Sequence, residues 1–172
     1  GRMVNEASPI VDTRLLDGSR VNIVLHPISL DGSCISIRKF SKEPMNMQTL
    51  LAYGSLSDEI AEYLKKLVIA GYNIFVSGGT GSGKTTFLNA LSEFIPKDER
   101  VVTIEDSAEL QLNGIANLVR LETRTAGFEG VAPIGIRDLI KTALRMRPSR
   151  LIVGECRGAE AIDLLSANNT GH

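Results

Sequence analysis

The residues Gly78-Gly-Thr-Gly-Ser-Gly83-Lys84-Thr85 follow the spacing G-x-x-x-x-G-K-[ST]. Each residue type has a physical reason to stand where it does. Glycine lets a backbone pass close to a ligand with no Cβ in the way, and it takes positive φ without strain. Such a loop turns its amide hydrogens inward, and a helix starting directly after it adds its own unsatisfied N–H groups. The result is a cradle for an anion. Lys84 is then placed to reach the β- and γ-phosphates of a nucleotide, and Thr85 to offer a hydroxyl to Mg²⁺. Gly78, Gly79, Thr80, Gly81, Ser82 and Gly83 form the candidate cradle, and Thr86 is counted with it at the start of the helix. The cofactors this chemistry asks for are ATP and Mg²⁺.

Hydrolysis of a bound nucleotide needs an acid in the metal shell and a base that orients water, both at the carboxyl ends of strands near the loop. Two segments qualify. Arg150-Leu-Ile-Val-Gly154-Glu155 is an apolar strand ending in a carboxylate, like a Walker B segment with Gly154 and Glu155 where an Asp usually stands. Thr103-Ile-Glu105-Asp106 ends another strand in two adjacent acids. Neighbouring strand residues face opposite sides, so Glu105 and Asp106 do not share a role. Acids are also common where any strand meets solvent, and Glu109 is assigned to solvated loop.

The elements that must hold these residues follow from periodicity. Val11–Leu15, Arg20–Leu25 and Ser33–Arg38 alternate as half-buried strands, separated by turns at Asp17-Gly18 and Asp31-Gly32. Cys34 is expected as a small core or filler residue in the third. This predicts a partial, β-rich N-terminal domain over residues 1–45. Ser57 is the expected N-cap of a helix with Asp58 and Glu59 in its first turn and Gly71 at its end. From Asn73 the rhythm changes to strand, loop and helix in alternation. Strands are expected at 73–77, 100–105, 117–121 and 151–153, and helices at 84–94, 136–146 and 159–167. That alternation predicts an α/β domain over residues 46–172, with a mostly parallel sheet covered on both faces.

Composition removes other classes. The chain has 172 residues, 19 Lys and Arg against 20 Asp and Glu, and a net charge of -1, so it offers no bulk basic field for nucleic acid. Two cysteines and two histidines suit neither a disulfide scaffold nor a multi-histidine metal site. No stretch approaches the ~20 apolar residues of a membrane span.

The order of motifs narrows the reading further. Ile104-Glu105-Asp106-Ser107-Ala108-Glu109-Leu110 resembles the Asp box of type II/type IV secretion ATPases. Leu151 to Gly158 resembles their Walker B, and Asn168-Asn-Thr170-Gly171-His172 resembles the start of their His box. Asp17-Gly-Ser-Arg-Val-Asn, Ser36-Ile-Arg-Lys-Phe40 and Leu144-Arg-Met-Arg-Pro148 look like the tight-adherence pilus (CpaF/TadA) branch. The resemblance implies a RecA-like P-loop ATPase core behind a partial N-terminal domain, acting as a homo-hexamer. It also implies a cytoplasmic enzyme, peripheral to the inner membrane, whose partners are pilus or secretion platform proteins. It assigns Glu105 as the base and Glu155 to Mg²⁺ together with Thr85. His172 would couple the γ-phosphate to conformational change. Arg20, Arg38, Arg145 and Arg157 are its candidate phosphate contacts, with Arg124 a weaker one. Against this, Arg137, Lys141 and Arg145 also have the spacing of a solvated helix face. The sequence ends inside the His box, which predicts a fragment. Two other readings stand beside the motor: a P-loop ATPase that moves DNA in conjugation, and a nucleotide-dependent assembly module that does not hydrolyse.

Overall fold

The computed structural model describes residues 3–39, 45–124, 132–156 and 158–168. The chain divides into two compact units, Gly1–Glu43 and Pro44–His172.

The first unit is an antiparallel meander of β1 (Ile10–Arg14), β2 (Arg20–Val24) and β3 (Cys34–Arg38) in that spatial order. Its first turn closes as the sequence predicts. Gly18 takes φ 88°, and the Ser19 N–H donates to the Asp17 carboxylate at 2.9 Å. The register pairs Val11 with Ile23 and Val21 with Ile37, so one face is apolar, and Val11 and Val21 are buried in it. The expectation for the third strand needs correcting. Every residue of β3 is exposed, with Ile35 at 62% and Ile37 at 53%, and Cys34 is a surface residue. β3 is the edge of a sheet of only three strands, which is too thin to cover its own margin.

The second unit runs α1 (Met47–Ala52), α2 (Asp58–Ile69), α3 (Lys84–Ser92), β4 (Arg100–Glu105), β5 (Asn117–Glu122), α4 (Ile136–Leu144), β6 (Arg150–Val153) and α5 (Glu160–Asn168). Three strands form a parallel sheet in the order β5-β4-β6. β4 is its middle strand, and Val101 to Glu105 are buried. Alternation splits the core. Val101 packs with Ala90 and Leu91 of α3, while Val102 and Ile104 pack with Ile140 and Ala143 of α4.

Local chemistry sets the helix limits. Ser57 accepts from the Ile60 N–H to start α2. At the other end Gly71, at φ 80°, lets its own N–H reach Val68 O and the Tyr72 N–H reach Leu67 O, a Schellman stop. Asp138 closes the start of α4 by accepting from the Gly135 N–H at 3.1 Å.

One predicted strand is not one. Residues 72–79 run without ladder pairing. Ile74 and Val76 still turn toward the α3 side of the core, while Tyr72 and Phe75 are 65% and 72% exposed. The strand's alternation is present. What it lacks, among the described residues, is a neighbouring strand to pair with.

A buried-edge ion pair ties three elements together. Arg150, at the start of β6, donates through Nε and Nη2 to the Glu99 carboxylate at 2.5 and 3.0 Å. It also donates to Ile69 O at the end of α2 at 3.3 Å. Both side chains are about four-fifths covered, at 17% and 22% exposure. The hydrogen bond from Arg150 holds the Glu99 carboxyl below its usual range. Glu99→Gln is therefore expected to cost about 1–2 kcal/mol in urea unfolding at pH 7. The sign follows from the lowered value. The stability this group adds is present above the ordinary carboxylate range and is lost as pH falls through the depressed one. Identical acid-unfolding curves for parent and variant would refute it.

Candidate functional site

The glycine-rich loop enters α3 without regular structure before it. Gly81 and Gly83 take φ 76° and 88°, conformations that only glycine adopts freely. Gly78 is needed for a different reason, because a Cβ there would sit 2.5 Å from Ser82 Oγ. Lys84 folds back over the loop and donates to Gly79 O at 2.6 Å. Thr85 and Thr86 follow in the first turn of α3, half-buried.

The start of α3 differs from those of α1, α2 and α4. Side-chain oxygens of Asn46, Ser57 and Asp138 accept backbone N–H groups at those three. α3 has Gly83 at its N-cap, no side-chain cap and no acid in its first turn. Its leading N–H groups and positive dipole end are left to an external acceptor. That arrangement, with Lys84 beside it, fits a phosphate chain. For the metal, the described residues contain no group of three or more His, Cys, Asp or Glu able to hold an ion. Mg²⁺ held by Thr85 and Glu155 would need phosphate oxygens to complete its shell, which is how Mg²⁺ sits in nucleotide sites.

β4 and β6 deliver the two glutamates. Because the strands are parallel and Ile104 pairs with Val153, Glu105 and Glu155 emerge at the same end of the sheet. Glu105 is 3% exposed and lies on the strand face shared with Val101, the face toward α3. Its Oε2 accepts from the Glu109 and Leu110 N–H groups at 2.6 and 2.8 Å. Its Oε1 is buried with no hydrogen-bond partner among the described residues. Burial pushes its carboxyl above the usual range, and the two amide bonds oppose that in part. Asp106 faces the other way, is exposed, and accepts from Thr123 Oγ1 at 2.6 Å, so the two acids are separated as alternation requires.

Gly154 has a role that spacing alone does not reveal. Its N–H donates to Ile104 O at 2.8 Å, and a Cβ on it would lie 3.0 Å from Glu105 Cγ. The glycine standing in the usual Asp position makes room for Glu105. Gly154→Ala is expected to destabilise the chain by about 1–3 kcal/mol, because the crowded stem belongs to a carboxylate already tied by two amides. Equal midpoints in urea would remove this explanation.

The candidate arginines are dispersed. Arg145 is exposed at the C-cap of α4, just ahead of β6, and so lies at the pole of the sheet opposite Glu105 and Glu155. Arg124 Nε and Nη2 donate to Ala132 O at 3.3 and 3.0 Å. Arg137, on the face assigned to solvent, reaches Asp163 of α5. Arg20 and Arg38 belong to the first unit, on β2 and β3. Arg157 and His172 lie outside the described residues. Among those described, no helix is long and apolar enough to cross a membrane.

Residues 2–172 match the family described as Type II/IV secretion system protein. The type IV secretion system protein PtlH of Bordetella pertussis is 37% identical over 185 residues, covering 95% of this chain and 55% of PtlH. A protein of Methanocaldococcus jannaschii, MJ0781, is 45% identical over 99% of this chain and 24% of its own length. The crystal structure of the VirB11 ATPase from the Brucella suis type IV secretion system, in complex with sulphate, superimposes with a TM-score of 0.57 at 30% identity. That match covers 99% of this chain and 57% of VirB11. The chain spans about half, or less, of the length of the curated relatives it matches.

Proposed function

This chain belongs to the type II/IV secretion system protein family, and from that premise we propose that it carries the ATP-hydrolysing part of a secretion or pilus-assembly motor. The observation that carries the proposal is the pairing of two features on one side of β4. One is a helix start left open for an anion behind a glycine-rich loop. The other is a buried glutamate with one oxygen unpartnered among the described residues. The likeness to the VirB11 ATPase supports ATP as the ligand.

The residues divide the work. The loop amides, the open turn of α3 and Lys84 bind and orient the phosphates. Bound Mg²⁺, held by Thr85 and Glu155, would neutralise charge on the phosphate oxygens. Water attacks the γ-phosphorus as the bond from that phosphorus to the β–γ bridging oxygen breaks. Glu105 accepts the water's proton, and the released ADP keeps the bridging oxygen. A carboxyl raised by burial is a stronger base once ionised than a solvated one. Arg157, Arg145 and His172 are assigned by resemblance to charge stabilisation and coupling, with Arg145 acting on a neighbouring subunit. The finer reading places the protein in the tight-adherence pilus branch, as a cytoplasmic homo-hexamer docked on inner-membrane platform proteins, with no nucleic acid as substrate.

The test is steady-state ATPase activity with Mg²⁺ in the full-length protein, with nucleotide binding and oligomeric state measured in parallel. Turnover that rises with hexamer formation supports the motor. Tight ATP binding by the hexamer with no turnover would replace the motor with a nucleotide-dependent assembly module.

A further inference from the structure

The strand register of the first unit places three arginines in one row. Arg14 pairs with Arg20 across β1 and β2, and Arg20 pairs with Arg38 across β2 and β3. Directly opposed residues put their side chains on the same face, so the three guanidinium groups rise from one side of the sheet. With strands about 4.8 Å apart, the row is about 10 Å from first to third, within reach of one polyanion. Arg20 and Arg38 are exposed and Arg14 is half-buried. The nearest acid on that face within these strands is Asp12, one pleat along, and its Oδ1 accepts from Asn22 Nδ2 at 3.0 Å. Asp17, in the turn, accepts from the Ser19 N–H.

Like charges directly opposite one another destabilise a sheet. Guarding a sheet edge with charge explains Arg14 on β1 and Arg38 on β3. It does not explain Arg20, which occupies the middle strand between them. Three positive charges in register make sense where a multiply charged anion completes the row. Arginine's planar fork is the side chain suited to phosphate oxygens.

We propose that Arg14, Arg20 and Arg38 form a single anion site on the first unit for a multiply charged phosphate group, with Arg14 its third binding residue. The proposal rests on the reading above only for the identity of the anion as the terminal phosphates of ATP. A free polyphosphate shares the same chemistry, and the experiment separates the two sources.

Calorimetric titration of the full chain with sodium tripolyphosphate, and separately with Mg·ATP, tests it. Arg14→Gln and Arg14→Lys are compared with the parent, each with Lys84 intact and in a Lys84→Ala background. Arg14→Gln is expected to weaken anion binding about tenfold and Arg14→Lys by about threefold or less. Relief of the like-charge row should leave the anion-free melting temperature of Arg14→Gln unchanged or raised. A loss that persists with tripolyphosphate in the Lys84→Ala background identifies a free phosphate compound. A loss seen only with Mg·ATP and intact Lys84 identifies the nucleotide. Equal affinities for both ligands in both backgrounds would overturn the site. So would an Arg14→Gln chain that melts lower without anion and binds normally. A parent that binds tripolyphosphate through the row but never turns over ATP would refute the motor and leave the site standing.

Discussion

Glu105→Gln is expected to reduce ATP turnover by about 10²–10⁴-fold while leaving ATP binding within a few fold of the parent. The substitution is nearly isosteric. The amide oxygen can go on accepting from the Glu109 and Leu110 N–H groups that Oε2 serves, so the segment after β4 keeps its anchor. What disappears is the ability of the other oxygen, buried without a hydrogen-bond partner, to take a proton. The pH dependence has a definite sign. Burial raises the carboxyl, so the protonated form persists to higher pH than in a solvated glutamate. Turnover should therefore climb with pH along a limb displaced above the ordinary carboxylate range. Folding stability should move the other way, with the contribution of this group complete at low pH and declining as pH rises through the raised value. The glutamine variant should show neither trend. A variant with unchanged turnover, or an unchanged acid limb, would take the role of base away from Glu105.

Lys84→Ala should weaken nucleotide binding by about 10²–10³-fold and bring turnover below detection, since it removes the one side-chain cation at the open start of α3. The fold should not notice. The only hydrogen bond the ammonium makes is to Gly79 O in an exposed loop, so the urea midpoint should stay within about 0.5 kcal/mol of the parent. Binding measured by fluorescent ATP and stability measured on the same sample separate the two effects. Retained binding would show that the loop amides suffice without the lysine.

Much of this arrangement is legible from residue order, and the exceptions have physical causes. The phosphate loop, the limits of α2, β4, β5 and α4, and the opposed faces of Glu105 and Asp106 all follow from local rules of spacing, capping and alternation. Residues 73–77 show where those rules stop. Ile74 and Val76 alternate like a strand, but strand formation requires a partner, and alternation cannot report whether one is present. Cys34 and the isoleucines of β3 fail similarly: alternation marks an apolar face, not the layer that would cover it. The contact of Gly154 with Glu105 crosses two strands some fifty positions apart, beyond the reach of any local pattern. Arg14 was within reach, since Arg14 and Arg20 are equidistant from Asp17 in the first turn, but its part depends on a register that only pairing fixes.

The open first turn of α3 has one more consequence. Three other helices of the second unit are terminated by their own side chains, and this one is left to be finished by what binds there. A ligand that supplies missing helix contacts enters the folding equilibrium by mass action. At a concentration one hundred times its dissociation constant it adds about 2.7 kcal/mol, a sizeable share of a domain's whole margin. The resilience of this unit to heat and proteases therefore follows the cell's supply of the ligand. A chain starved of it becomes, by the same linkage, one that is more easily cleared.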